Sequence, residues 1–343
     1  MQVIVNAPPE LAPVPSGEKK EMLGISREGN KVFVRINSSS LSLLQECPRK
    51  TYYSLVKGYR SNVESSATLY GSAIHAALET FYLGSREERV LPPDFQKQCD
   101  LMGAGATPSD GESKYLVLRA MRSFLDKALP LAALPSSDKR SHATGVWTLQ
   151  HYFQNYIEDP FSIHADSEGK FVERRLEADV FDSPELRITL FETIDCILIN
   201  DQTKAIFVCD HKTSSVIGEQ FYNRLKPNHQ YSAYILLAKE NGIDTDKFLV
   251  NCIQVKPKPL TKRGSPPHFP RQVTVRSDDD LAEFTASLAY YVKQFVALSE
   301  EPESSWPMSQ VNACSMYNGC QYLKVCGAPV SLRENILNAE YSL

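Results

Sequence analysis

The chain is 343 residues long, 42% hydrophobic and 23% charged, with a formal net charge of −4. These are the proportions of an ordinary soluble globular protein with a substantial core, and no apolar run is long enough to span a bilayer. The slight acidity disfavours indiscriminate binding to nucleic acid, so any such role has to rest on locally clustered charge.

The opening MQVIVNAPPELAPVPSGEKKE has no basic start followed by an apolar run, so no secretory signal is expected. The protein is read as cytoplasmic, in a bacterial or viral setting, where thiols stay reduced and clustered Cys more often bind metal than pair. Residues 1–30, rich in Pro, Glu and Lys without periodicity, read as a loosely ordered lead-in. KVFVRI (31–36) alternates as a short strand. NSSS then offers N-cap residues for a helix through LSLLQECPRKTYYSLV, which Pro48 should break at Cys47. GSAIHAALETFYLG predicts a second helix, stopped by Gly84. Between about 92 and 165 come two amphipathic segments, ESKYLVLRAMRSFLDKAL and GVWTLQHYFQNYIE, with Gly/Ser/Pro-rich loops at 103–112 and 134–145.

From 170 the pattern changes. KFVERRLEADVF, LRITLFETIDCILI and KAIFVCDHKTS read as consecutive strands. NHQYSAYILLAKENG reads as a helix capped by Asn228 and stopped by Gly242. A strand (FLVNCIQVKP), a basic loop, a strand (RQVTVR) and a long helix opening on SDDD follow. The basic loop, VKPKPLTKRGSPPHFPR, carries Lys256, Lys258, Lys262, Arg263 and Arg271 with no acidic residue. By itself it is either a solvated loop or a set of phosphate contacts. The mixed order predicts an α/β (α+β) fold, a central mixed sheet flanked by helices.

The chemistry concentrates in ETIDCILINDQTKAIFVCDHKTSS. Side chains alternate along a strand, so Asp210 and Lys212 share a face. With DQTK (201–204) as a hairpin loop, Asn200 pairs with Ala205, and the same register sets Asp195 opposite Asp210, with Cβ atoms about 5 Å apart. Two carboxylates this close repel each other unless a positive group lies between them. A divalent cation, Mg²⁺ or Mn²⁺, is the natural resident. A Lys beside it could position an attacking water or offset charge on a phosphate. The spacing also permits a plainer arrangement, with Asp195 a polar strand-end residue and Asp210–Lys212 a surface ion pair.

Asp195, Asp210 and Lys212, in the pattern I-D-x14-D-x-K, resemble the signature of the PD-(D/E)XK nuclease superfamily. GSAIHAALETFY is similar to the helix that gives the RecB-like exonuclease branch its metal-binding His, here His75. HQYSAY matches that branch's Q-x-x-x-Y motif through Gln230 and Tyr234, and SSSLSLLQECPRKTYY resembles its N-terminal segment. Glu192 departs from the pattern, which often has Gly there. The resemblance implies a restriction-endonuclease-like core in a single domain over 31–326. Its helical part would cover about 38–165 and its catalytic sheet about 170–300. A Cys module (306–326 plus Cys47) and a C-terminal tail (327–343) would complete it. It further implies DNA exonuclease activity on single strands or free ends, in DNA processing, recombination or repair. His75, Asp195, Asp210 and the His211 carbonyl would hold Mg²⁺ or Mn²⁺. Gln230 and Tyr234 would hold DNA, with Arg49, Lys50, Lys256, Lys258, Lys262 and Arg263 as candidate phosphate contacts. Glu79 and Glu173 are secondary candidates near the metal. A helicase, recombination or CRISPR partner is a further expectation of the likeness.

Of eight Cys, Cys196 and Cys209 alternate away from the catalytic face and read as buried apolar residues. The resemblance is to the iron–sulfur members of the branch, CRISPR-associated or AddB-type. It implies a [4Fe–4S] cluster on Cys47, Cys314, Cys320 and Cys326, stapling the chain ends around the core. Structural Zn²⁺ on the same thiols is the alternative, and spacing does not separate the two. A reading from another class makes the protein a non-catalytic DNA-binding or assembly subunit using fold and cluster as a scaffold. The crowded pair Asp195 and Asp210 argues against it.

Overall fold

A computed structural model of the protein describes residues 23–62, 65–106, 114–259, 265–309, 312–315 and 319–342. It opens on an antiparallel hairpin, β1 (Leu23–Glu28) and β2 (Lys31–Ile36), turned at Gly29 with φ +57°. Order thus begins before the end of the expected lead-in, because pairing with KVFVRI organises a segment whose own pattern is weak. Helix α1 (Ser38–Glu46) starts from Asn37, whose side chain accepts the Ser40 N–H. It ends at Cys47, where Pro48 opens α2 (Pro48–Thr51).

Next come β3 (Arg60–Ser61), α3 (Ser66–Leu83), α4 (Phe95–Gly103), α5 (Leu116–Lys127) and α6 (His142–Tyr156). Helix α4 was not expected, since FQKQCDLMG carries few apolar residues. It is held by burial of Phe95, Cys99 and Met102. Helix α6 begins inside the stretch 134–145 read as a loop, because Ser141 caps it by accepting the Thr144 N–H. Short strands β4 (Phe161–Ile163), β5 (Ala165–Asp166) and β6 (Gly169–Lys170) precede β7 (Val172–Asp182), β8 (Leu186–Asn200) and β9 (Ile206–Ser214). They are followed by α7 (Glu219–Tyr222), α8 (His229–Glu240), β10 (Lys247–Gln254), β11 (Arg271–Val275) and α9 (Asp278–Ser299). A capping box of Ser277 and Asp280 opens α9. The chain closes with α10 (Asn312–Ser315), α11 (Leu323–Gly327), α12 (Val330–Glu340) and β12 (Tyr341–Ser342). The segment read as a tail is therefore largely a helix, and β12 pairs with β3.

The central sheet is mixed and eight-stranded, in the order β1-β2-β8-β9-β10-β11, with β4 and β7 also on β8. Pairing is parallel for β2–β8 and β9–β10 and antiparallel for β8–β9 and β10–β11. The chain divides into two compact units. One comprises residues 1–63, 176–192 and 277–343, the other 64–175 and 193–276. No helix among the described residues is long and apolar enough to cross a membrane.

In the first unit Trp306 is fully buried, its ring 5.4 Å from Tyr52 and 6.1 Å from Phe295. In the second, α3, α5 and α6 cover the sheet face that presents Cys196, Leu198, Cys209, Leu249 and Ile253. The opposite face carries Phe248, on which Tyr231 of α8 stacks at 4.2 Å. Gly145 of α6 faces Phe124 of α5 so closely that a Cβ there would collide with the ring. Gly145→Ala is therefore expected to cost about 1–3 kcal/mol through overpacking, read as a lower urea midpoint. An unchanged midpoint would contradict this packing.

Candidate active site

The hairpin register is the one that the spacing predicts. Asn200 N–H donates to Ala205 O at 2.9 Å, and the ladder runs from Ile199–Ile206 to Cys196–Cys209. There it stops. In a continued antiparallel ladder His211 would exchange both backbone hydrogen bonds with Ile194. Instead its N–H donates to Asp195 Oδ2 at 2.7 Å, and its carbonyl accepts from His75 Nε2 at 2.7 Å. His75 Nδ1 lies 3.4 Å from the same Asp195 oxygen. A side chain from the next strand and one from α3 thus stand in for the missing backbone. His75 can reach the fork because it borders the apolar stripe of Ile74, Ala77, Leu78 and Phe81 that seats α3.

Asp210 and Lys212 flank this point on β9. Lys212 Nζ donates to Asp210 Oδ1 at 3.0 Å and lies 2.8 Å from Oδ2, yet buried Oδ2 accepts no hydrogen bond among the described residues. Burial, reinforced by the Asp195 charge and opposed by Lys212, pushes the Asp210 carboxyl up to about 6. Burial also acts against ionisation of Asp195, but His75 and the His211 N–H outweigh it and hold that carboxyl down at about 2. Burial opposes protonation of His75, whereas Asp195 and Asp210 together raise it to about 9. The site is thus an electron-rich pocket, partly neutralised by its own imidazolium.

Glu173 on β7 joins it. Its φ of +48° is costly for a residue with a Cβ, about 1–3 kcal/mol. The ligand atoms of His75, Glu173 and Asp195 all lie within 4.8 Å of one another. Glu173 was only a secondary candidate because nothing in its neighbourhood signals the left-handed backbone. Glu79 makes no hydrogen bond or ion pair among the described residues.

Behind the fork is a buried polar network that the sequence did not signal. The His211 ring stacks on Tyr82 at 5.4 Å, and its Nδ1 accepts from Asn251 Nδ2 at 2.9 Å. Asn251 also donates to Tyr152 Oη at 2.7 Å, and the Tyr82 and Tyr152 hydroxyls are 2.8 Å apart. Arg271 donates to Tyr82 Oη at 3.0 Å and to both Asp159 oxygens at 2.7 and 2.6 Å. Burial holds His211 down at about 3, so its ring is neutral, and Asn251 at Nδ1 puts the proton on Nε2. That nitrogen is 3.8 Å from Cys196 Sγ, the geometry of a weak N–H···S contact. Cys196, Cys209 and His211 form a compact cluster, but its one nitrogen is protonated and the cysteines pack as apolar residues.

Gln230 Nε2 donates to Tyr234 Oη at 3.0 Å, which in turn donates to Thr193 O at 3.2 Å, two residues from Asp195. The expected phosphate contacts separate. Arg49 is 5% exposed, its Nε on Trp306 O at 2.9 Å and its Nη1 on Glu303 at 3.2 Å, so its guanidinium is engaged within the fold. Lys50 pairs with Glu46 at 2.7 Å and Lys258 with Asp100 at 3.6 Å, while Lys256 donates to Ser265 Oγ at 2.9 Å. Arg271 belongs to the buried network. Lys262 and Arg263 lie outside the described residues.

The four thiols of the Cys module share the other unit. Burial, then the Cys47 and Cys314 thiols, raise Cys320 against the Tyr322 N–H and Lys50. Burial pushes Cys326 up to about 11, opposed by Arg49 and reinforced by Cys320 and Cys47. Cys320 N–H donates to Cys314 O at 3.0 Å, and Ser309 N–H to Cys47 Sγ at 3.5 Å. No three of the four sulfurs fall within 4.8 Å of one another, so they are spread more widely than the two compact clusters above.

The family model described as the PD-(D/E)XK nuclease superfamily matches residues 35–327. No match was found among curated proteins.

The raised Asp210 makes a prediction for the metal-free protein. A carboxyl held above its unfolded value favours folding while protonated, and that contribution is lost as pH rises from about 4 through about 6. Asp210→Asn removes the loss. In EDTA above pH 7 it should be roughly 1–3 kcal/mol more stable than wild type by urea unfolding. A less stable variant would contradict the crowded-carboxylate account.

Proposed function

The chain belongs to the PD-(D/E)XK nuclease superfamily, and from that premise we propose a RecB-like DNA exonuclease that hydrolyses phosphodiester bonds in single strands or at free ends. The superfamily's nucleases depend on divalent metal, and one observation carries the site assignment. At the point where β8 and β9 part, two carboxylates, a backbone carbonyl and an imidazole converge, and one buried carboxylate oxygen accepts no hydrogen bond among the described residues. Oxygen donors with one nitrogen suit a hard cation such as Mg²⁺ or Mn²⁺. Asp195, Asp210, His75 and the His211 carbonyl would hold it, with Glu173 within reach. When bound, the ion supplies a Lewis acid for the phosphoryl oxygen and lowers the pKa of water.

The remaining steps belong to the chain. Lys212, anchored on Asp210, orients the attacking water and offsets the negative charge that builds on the phosphoryl oxygens. Gln230 and Tyr234, tied to the Thr193 carbonyl, hold the strand beside the carboxylates. Asn251 and the stacked Tyr82 fix the His211 ring, and with it the direction of its carbonyl. Purified protein with Mn²⁺ should degrade end-labelled DNA. Asp210→Ala should lower the rate by at least about a hundredfold while leaving the far-ultraviolet spectrum unchanged. Equal activity in the variant would overturn the assignment.

For the Cys module we favour the [4Fe–4S] cluster. Zinc would take the same four thiolates in tetrahedral geometry, and the cluster is favoured because the order of these Cys resembles that of the iron–sulfur members of the branch. Arg49, Lys50 and Arg333 close by offset the thiolate charge. Anaerobically purified protein should carry about four irons and a visible charge-transfer absorption, both lost in Cys326→Ser. Stoichiometric zinc without iron would contradict this.

A further inference from the structure

Beyond Lys212 the parallel pair β9–β10 runs on by two more register steps, from Lys212–Cys252 through Thr213–Ile253 to Ser214–Gln254. Those two residues span about 7 Å of strand. In a parallel pair the partners point to one face, so Gln254 lies on the same face as Asp210 and Lys212. Beside this strand end lies a cleft of about 470 Å³, lined by Ile217, Tyr222, Gln254, His268, Phe269 and Pro270. Its size is that of a small-molecule site.

The lining combines ring faces with a few oriented polar groups. Gln254 Oε1 accepts the His268 N–H at 3.2 Å, which turns the carboxamide and leaves its Nε2 donor without a partner among the described residues. The Tyr222 hydroxyl and the His268 ring likewise have none. Val216, next in the chain to the lining residue Ile217, is 76% exposed, an apolar side chain in open solvent shortly past the end of β9. Lys139 Nζ donates to Ser215 Oγ at 3.1 Å at the same strand end, and no carboxylate among the described residues pairs with it. Aromatic faces, a donor for a base edge and an unpaired cation one residue from the strand terminus are what an unstacked nucleotide requires. A base within a duplex presents only its edge and could not enter.

We propose that this cleft holds one unpaired nucleobase of the strand whose backbone passes Lys212. Tyr222 and His268 provide the ring faces, Gln254 the edge contact and Lys139 the phosphate contact. The inference rests on the nuclease reading and restricts the substrate, at this step, to single-stranded DNA.

The test measures binding in the full-length Asp210→Asn background, using a fluorescein-labelled oligo-dT and an oligomer of equal length made wholly of abasic nucleotides. Stacking contributes about 1–3 kcal/mol per base, so adding Tyr222→Ala and Gln254→Ala should weaken oligo-dT binding about tenfold. Binding of the abasic oligomer should not change. Equal weakening of both oligomers, or of neither, would overturn the cleft assignment. If wild type still degrades DNA in Mn²⁺, the nuclease reading survives that result. If the background protein binds neither oligomer and wild type does not cut, both readings fall.

Discussion

The site depends on two backbone groups of one residue. The N–H and carbonyl of His211 are denied their ladder partner, Ile194, where β8 and β9 part. Leaving both unsatisfied in a buried place would cost about 1–3 kcal/mol each. The Asp195 carboxylate takes the N–H and the His75 imidazole takes the carbonyl. A defect in a sheet thereby becomes a cluster of candidate ligand atoms, and the hairpin register brings Asp210 to its edge. Helix α3 and strand β10 fix the other side of His211, whose ring is held by Tyr82 and Asn251. The carbonyl therefore faces the gap on a backbone that cannot easily rotate away.

Charge explains why such an arrangement is retained. Asp195 and Asp210 sit together with little solvent, and among the described residues His75, Lys212 and the His211 N–H offset them. Glu173 adds a third carboxylate on a strained backbone. A fold selected for stability alone gains nothing from this crowding, because it raises one carboxyl and strains one strand. A fold that receives a cation recovers the cost on binding.

Much of the site was legible because its signal is local. Alternation in two strands joined by DQTK set the ladder up to Cys196–Cys209, next to Asp195 and Asp210, and Asn228 announced α8 with Gln230 and Tyr234. What was hidden depends on distant partners. Nothing around Ile194 says that the ladder ends there, and the network behind His211 draws Tyr82, Tyr152, Asp159, Asn251 and Arg271 from far apart in the chain. Arg49 read as a phosphate contact because it stands in a basic pair. It is buried because Glu303 and Trp306, more than two hundred residues later, accept its hydrogen bonds. Helix α12 was missed for a similar reason. Its short amphipathic pattern is weak, and its order comes with β12 pairing on β3.

The central claim is that the fork between β8 and β9 seats a divalent cation. The most direct measurement is a Mn²⁺ titration of metal-free protein, followed by loss of the free-ion electron paramagnetic resonance signal and repeated with His75→Ala and Asp195→Ala. The account predicts at least one Mn²⁺ bound per wild-type chain, with both substitutions removing that site while the protein stays folded. Wild type that binds no Mn²⁺, or binds it equally well after either substitution, would contradict it.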